Sequence, residues 1–172
     1  MPYTVGIFPN MLKDRVRACL PDIMALLQKY GFKILLPQNM AQDKTLSYRA
    51  DDTASLMQMD AGISLGGDGT FLQMARYLSP LKIPVFGVNF GKLGFLAETE
   101  MNDFEKALQK LAQQDFEIEE RSQLRAIVIR NGQIAVQAHA LNDMVAAKGH
   151  FSKLAEVEEA DDLLTLILSH DA

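Results

Sequence analysis

Ala61-Gly62-Ile63-Ser64-Leu65-Gly66-Gly67-Asp68-Gly69-Thr70-Phe71-Leu72 runs from an apolar strand, through a glycine-rich turn holding one acid, into a helix. Ala61–Leu65 has the short apolar character of a buried strand, and Phe71–Leu78 carries a helical pattern. A turn from a parallel strand into the next helix lies at the carboxyl edge of the sheet, where open α/β folds bind ligands. Three glycines permit unusual dihedrals and close approach of a ligand to the backbone. Amides at the start of the following helix suit phosphate. The turn lacks the spacing of the dinucleotide fingerprint, and it lacks the lysine and hydroxyl pair of the P-loop. An acid among phosphate-binding glycines makes sense if it holds a metal or takes a proton from an attacking hydroxyl. The alternative reading is that Asp68 or Thr70 merely caps the helix and the glycines serve a tight turn.

Outward from this turn, the pattern predicts an α/β fold. Tyr3–Phe8 reads as a strand stopped by Pro9 and Asn10. Val16, Leu20, Ile23, Leu26 and Leu27 recur at helical spacing, and Gly31 ends that helix. Phe32–Leu36 and Pro84–Val88 are further strands, while Gln38–Asp52 is polar and aperiodic, a connection with room for one short helix. Strand, helix, strand, turn, helix, strand is the order of a Rossmann-like parallel sheet with crossover helices. Asn102 or Asp103 can start a helix carrying Phe104, Ala107, Leu108 and Leu111. Alternation then begins at Phe116 and Ile118 and continues through Leu124, Ala126, Val128, Ile134 and Val136. Asn131-Gly132 signals a hairpin. The expected organisation is an α/β domain over residues 1–100, the start of an antiparallel β-sandwich domain over 101–157, and a divergent helical tail over 158–172.

Composition narrows the class of function. The chain has 172 residues, 48% of them apolar, and a net charge of −5. A mildly acidic chain without a basic patch points to neither a nucleic-acid nor a membrane partner. One cysteine, Cys19, excludes an internal disulfide. The start enters a strand directly, with no basic and apolar leader, so a cytoplasmic location is expected. His139, His150 and His170 share no metal-ligand spacing, and no residue is assigned to a metal.

Gly66-Gly67-Asp68-Gly69-Thr70-Phe71-Leu72 resembles the signature shared by NAD kinases, diacylglycerol-type lipid kinases and, more distantly, 6-phosphofructokinases. The block Gly87-Val88-Asn89-Phe90-Gly91-Lys92-Leu93-Gly94-Phe95-Leu96-Ala97-Glu98 is similar to the one that follows it in NAD kinases. Leu141-Asn142-Asp143-Met144-Val145 is similar to the NAD kinase Asn-Asp motif. The three motifs, in the family's order, favour the NAD kinase family.

The resemblance implies transfer of the ATP γ-phosphoryl group, or one from polyphosphate in some members, to the 2′-hydroxyl of the adenosine ribose of NAD, giving NADP. It places ATP phosphates on Gly66, Gly67, Gly69 and Thr70 and implies a divalent cation such as Mg²⁺ with them. Asp68 matches the proton acceptor. NAD-contacting positions match Asp68, Gly69, Leu72, Phe95, Asn142, Asp143 and Lys153. For Leu72 and Phe95 a plain core role fits equally, and an isolated Asn-Asp pair fits a polar turn. The resemblance also implies a homo-oligomer, dimer or tetramer, for full-length members. Their second signature, of the type Asp-Gly … Thr-Pro-x-Gly-Ser-Thr-Ala-Tyr, has no match here, and the run after Val157 has no counterpart in them. The expectation is a chain with weak or no NAD kinase activity by itself. The alternatives are a non-catalytic nucleotide-binding or oligomerising fragment and a related lipid kinase.

Overall fold

The computed structural model describes residues 2–41, 46–91, 94, 96 and 99–141. Two compact units divide between Ile118 and Glu119. The first is a six-stranded sheet with helices. Its strands are β1 (Thr4–Pro9), β2 (Lys33–Pro37), β3 (Ser47–Tyr48), β4 (Ala61–Gly66), β5 (Val85–Asn89) and β6 (Thr99–Glu100), in spatial order β3-β2-β1-β4-β5-β6. Every pairing is parallel. The helices are α1 (Asp14–Lys29), α2 (Thr53–Leu56), α3 (Asp68–Leu78) and α4 (Phe104–Gln113). The expected Rossmann-like α/β fold is therefore present.

The two central strands, β1 and β4, are apolar because both of their faces are covered. Val5, Ile7, Ile63 and Leu65 are fully buried and pack with Val16, Ile23 and Leu27 of α1 and Phe104 and Leu108 of α4. Alternation along the strands sends Gly6 and Gly62 to the opposite face. These two glycines are register partners. A Cβ on Gly6 would strike the Met59 side chain, and one on Gly62 would strike Leu78 and come within 2.9 Å of Met74 Sδ. The missing side chains thus make the notch into which Met59, Met74 and Leu78 fit.

The second unit contains β7 (Leu124–Arg130) and β8 (Gln133–Ala140), paired antiparallel with an irregularity between Val128 and Ile129. Asn131 has φ 52° and Gly132 φ 72°. Consecutive positive φ values define the hairpin turn that an Asn-Gly pair predicts. Phe116 and Ile118, read as the first of the alternating residues, lie outside any strand and are exposed. They pair with no strand among the described residues, and alternation alone does not hold a strand without a ladder. Conversely, β3 and β6 were not legible, because two residues carry no period.

Candidate active site

Strand order reverses direction at β1 and β4: the chain leaves β1 toward β2 on one side, and leaves β4 toward β5 on the other. That divergence opens a crevice at the carboxyl edge of the sheet. The Gly66–Thr70 turn occupies it. α3 starts within the turn at Asp68, not at Phe71, with Gly67 as the residue before the helix and no side-chain cap. Asp68 and Thr70 are therefore helical residues, and neither is the cap. Gly66, Gly67 and Gly69 do not use left-handed dihedrals, since the positive-φ glycines are Gly31 and Gly132. Their role is close approach. A Cβ on Gly66 would overlap the Thr70 hydroxyl and lie 2.8 Å from Thr70 Cβ, while Gly69 has nothing within 4 Å of the Cβ position and stays open.

Asp68 is held from the far side of the crevice. Its Oδ1 accepts from the Leu96 N–H at 3.3 Å. Gly94 lies flush against the carboxylate: an added Cβ would sit 2.5 Å from Asp68 Cγ and 2.6 Å from Oδ2. The block after the glycine turn thus earns its pattern partly by leaving room for this acid. β5 brings that block into place. Asn89 is the register partner of Gly66, and the Phe90 N–H donates to Gly66 O at 2.8 Å. Asn89 Oδ1 accepts from the Gly91 N–H at 2.8 Å, which shapes the exit from β5.

The loop after β1 closes the other side. Asn10 N–H donates to Leu65 O at 2.9 Å, and its Nδ2 donates to Thr70 Oγ1 at 3.4 Å. Lys13 Nζ donates to Gly66 O at 3.0 Å. Sequence reasoning passed over Asn10 and Lys13. The available signal was their position just after a parallel strand, at the same sheet edge as the glycine turn.

A cleft of about 620 Å³ reaches Thr70 and is lined by Phe8, Pro9, Pro37, Tyr48, Arg49, Gln73, Met74 and Tyr77 among others. Ligand clefts are commonly of this size. The Tyr48 hydroxyl is buried in its wall and donates to Ile7 O at 2.8 Å. Burial first, and then the neighbouring Tyr77 phenol, push the Tyr48 phenol well above its ordinary value of 10.0. At the rim, Arg49 donates to both oxygens of Asp51 at 3.0 and 2.6 Å, and this bonding holds the Asp51 carboxyl below its ordinary value.

The structure therefore gathers Gly66, Gly67, Asp68, Gly69 and Thr70 at one sheet edge, with Leu72 half-buried one turn further along α3. Phe95, Asn142, Asp143 and Lys153 lie outside the described residues. Residues 5–116 match the family model of the ATP-NAD kinase N-terminal domain. The chain belongs to the NAD kinase family. It is 47% identical over 157 residues to the NAD kinase of Heliobacterium modesticaldum, an alignment covering 91% of this chain and 56% of that protein. It is 37% identical over 158 residues to the NAD kinase of Natranaerobius thermophilus, covering 90% of this chain and 54% of the relative. For the NAD kinase of Burkholderia pseudomallei the identity is 34% over 162 residues, covering 93% and 54%. The chain spans about half the length of the curated relatives it matches. Among the described residues, no helix is long and apolar enough to cross a membrane.

Proposed function

We propose that the chain carries the phosphoryl-donor site and the proton acceptor of an NAD kinase reaction. The supporting observation is the placement of Asp68: a carboxylate at the first position of α3, at the carboxyl edge of β4, fixed by the Leu96 N–H and faced by Gly94. The triphosphate of ATP lies along Gly66–Thr70 and its nucleoside enters the cleft that reaches Thr70. The 2′-oxygen of the NAD adenosine ribose attacks the γ-phosphorus. The new bond joins that oxygen to phosphorus, the bond from phosphorus to the β,γ-bridging oxygen breaks, and ADP leaves with the electron pair. Asp68 accepts the hydroxyl proton. Most of the acceleration comes from alignment and charge stabilisation.

Among the described residues, no group of three or more His, Cys, Asp or Glu side chains could cage a metal. Mg²⁺ does not require one, because phosphate oxygens, waters and one or two carboxylates suffice. The turn fits that mode with the cation held mainly by phosphate oxygens and waters, which leaves Asp68 to the hydroxyl proton. When bound, the cation would offset the charge of the triphosphate. Gly69, Leu72, Phe95, Asn142, Asp143 and Lys153 are the proposed contacts to NAD. The expected homo-oligomer and a cytoplasmic location belong to the same proposal.

The test is formation of NADP from NAD and magnesium ATP with the chain in excess over NAD, so that slow transfer registers. NADP formation supports the reading. ATP binding by calorimetry without any NADP would favour the nucleotide-binding fragment instead. Phosphorylation of a diacylglycerol in preference to NAD would favour the lipid kinase reading.

A further inference from the structure

The linear sequence of the turn contains no cation. Gly66–Leu72 carries one formal charge, and it is the negative charge of Asp68. A divalent cation offsets only part of the charge of a triphosphate laid beside that carboxylate, and the remainder needs an opposing charge. The amino end of α3 supplies a partial positive charge of roughly half a unit, which does not balance even one phosphate.

We propose that Lys13 is a direct ligand of the donor's phosphates, an assignment that rests on the donor-site reading above. Its ammonium is carried from the residue preceding α1 to the front of the turn. Nζ is 3.0 Å from Gly66 O, 3.2 Å from the position of a Cβ on Gly67 and 3.6 Å from that on Gly91. An ammonium has three N–H groups to donate. The Gly66 carbonyl occupies one of them.

Lys13 also differs from the ion-paired cations of its unit. Arg17, Lys29, Arg49 and Lys106 each stand on a carboxylate, whereas no ion pair involves Lys13 among the described residues. The backbone that presents it is fixed. Lys13 N–H donates to Asn10 O at 3.1 Å, Leu12 N–H donates to Asn10 Oδ1 at 3.1 Å, and Asn10 is itself bonded to Leu65 and Thr70. The lysine and hydroxyl pair that the P-loop keeps within one segment is thereby rebuilt in space from two segments, as Lys13 and Thr70. Loss of the ammonium removes a charge-assisted contact to phosphate and leaves the nucleoside contacts alone.

Calorimetry with ATP, inorganic tripolyphosphate and adenosine, in magnesium buffer, tests the assignment. Lys13→Met keeps the apolar stem and removes the charge. It should weaken ATP and tripolyphosphate by about tenfold or more, the usual scale for a hydrogen bond to a charged group, and leave adenosine unchanged. Lys13→Arg should restore most of the ATP affinity. In the wild-type chain, ATP but not adenosine should protect Lys13 from acetylation, a readout independent of any variant's folding. Equal ATP affinity in a folded Lys13→Met chain, or equal loss for ATP and adenosine, would overturn the role of Lys13 alone. A wild-type chain that takes up neither ATP nor tripolyphosphate would overturn the donor-site reading, and the role of Lys13 with it.

Discussion

Asp68 is surrounded by residues chosen for what they lack. Gly94 has no side chain where one would meet the carboxylate, and the Leu96 N–H then reaches Oδ1. Gly94→Ala must push the Asp68 side chain away from its present position. Displacing a reacting group by about an ångström can cost around a hundredfold in rate. The expected outcome is a comparable drop in NADP formation with the melting temperature nearly unchanged. A variant with wild-type turnover would mean that Asp68 is not held where the chemistry needs it. The acid and its glycines were legible in sequence because the motif is contiguous. Lys13 was not, because its relation to the turn exists only after β1 and β4 have paired side by side.

At the scale of elements, the same contrast appears. β1, β2, β4 and β5 were legible because buried parallel strands read as apolar runs, and the hairpin was legible because Asn131 and Gly132 occupy a turn that few residue pairs tolerate. The start of α3 was misplaced by three residues, since glycine and aspartate lower the helical signal while the sheet edge dictates where the helix begins. The glycine notch of β1 and β4 was invisible to any pattern of hydrophobicity. It predicts that Gly62→Ala destabilises the unit by about 1–3 kcal/mol, because the new methyl group overlaps Leu78 and Met74 in a filled core. Urea unfolding measures this. An unchanged midpoint would show that α3 can shift away from β4 without cost. Ser64 provides a control on the same strand. Its hydroxyl is fully buried with no partner among the described residues. Ser64→Ala should be neutral or stabilising, since it removes an unsatisfied polar group.

At the scale of the whole molecule, the parallel sheet and the later antiparallel hairpin were both expected, whereas the cleft beside Thr70 was not. That cleft needs β3, a two-residue strand, to place Tyr48 beside Phe8 and above Ile7. Burial there makes stability depend on pH. The folded chain keeps the Tyr48 phenol protonated well above 10.0, and Tyr3 is raised as well by burial and then by Asp60. The unfolded chain ionises at the ordinary value. The stabilisation is therefore complete below the unfolded value and is lost as pH rises past it, because the unfolded chain releases protons that the folded chain retains. Unfolding free energy should fall between about pH 9 and about pH 11, and Tyr48→Phe should flatten most of that slope. A Tyr48→Phe chain with the same slope would place the dependence elsewhere.

If Asp68 takes the proton while the surrounding turn holds the donor, a single-turnover comparison of wild type with Asp68→Asn separates the two roles. ATP affinity is measured on both chains, and NADP is then followed with enzyme in excess over NAD. ATP binding should agree within about threefold in the two chains, and NADP formation should fall by about a hundredfold or more in the variant. NADP formed at equal rates by both chains, or no ATP bound by the wild type, would contradict it.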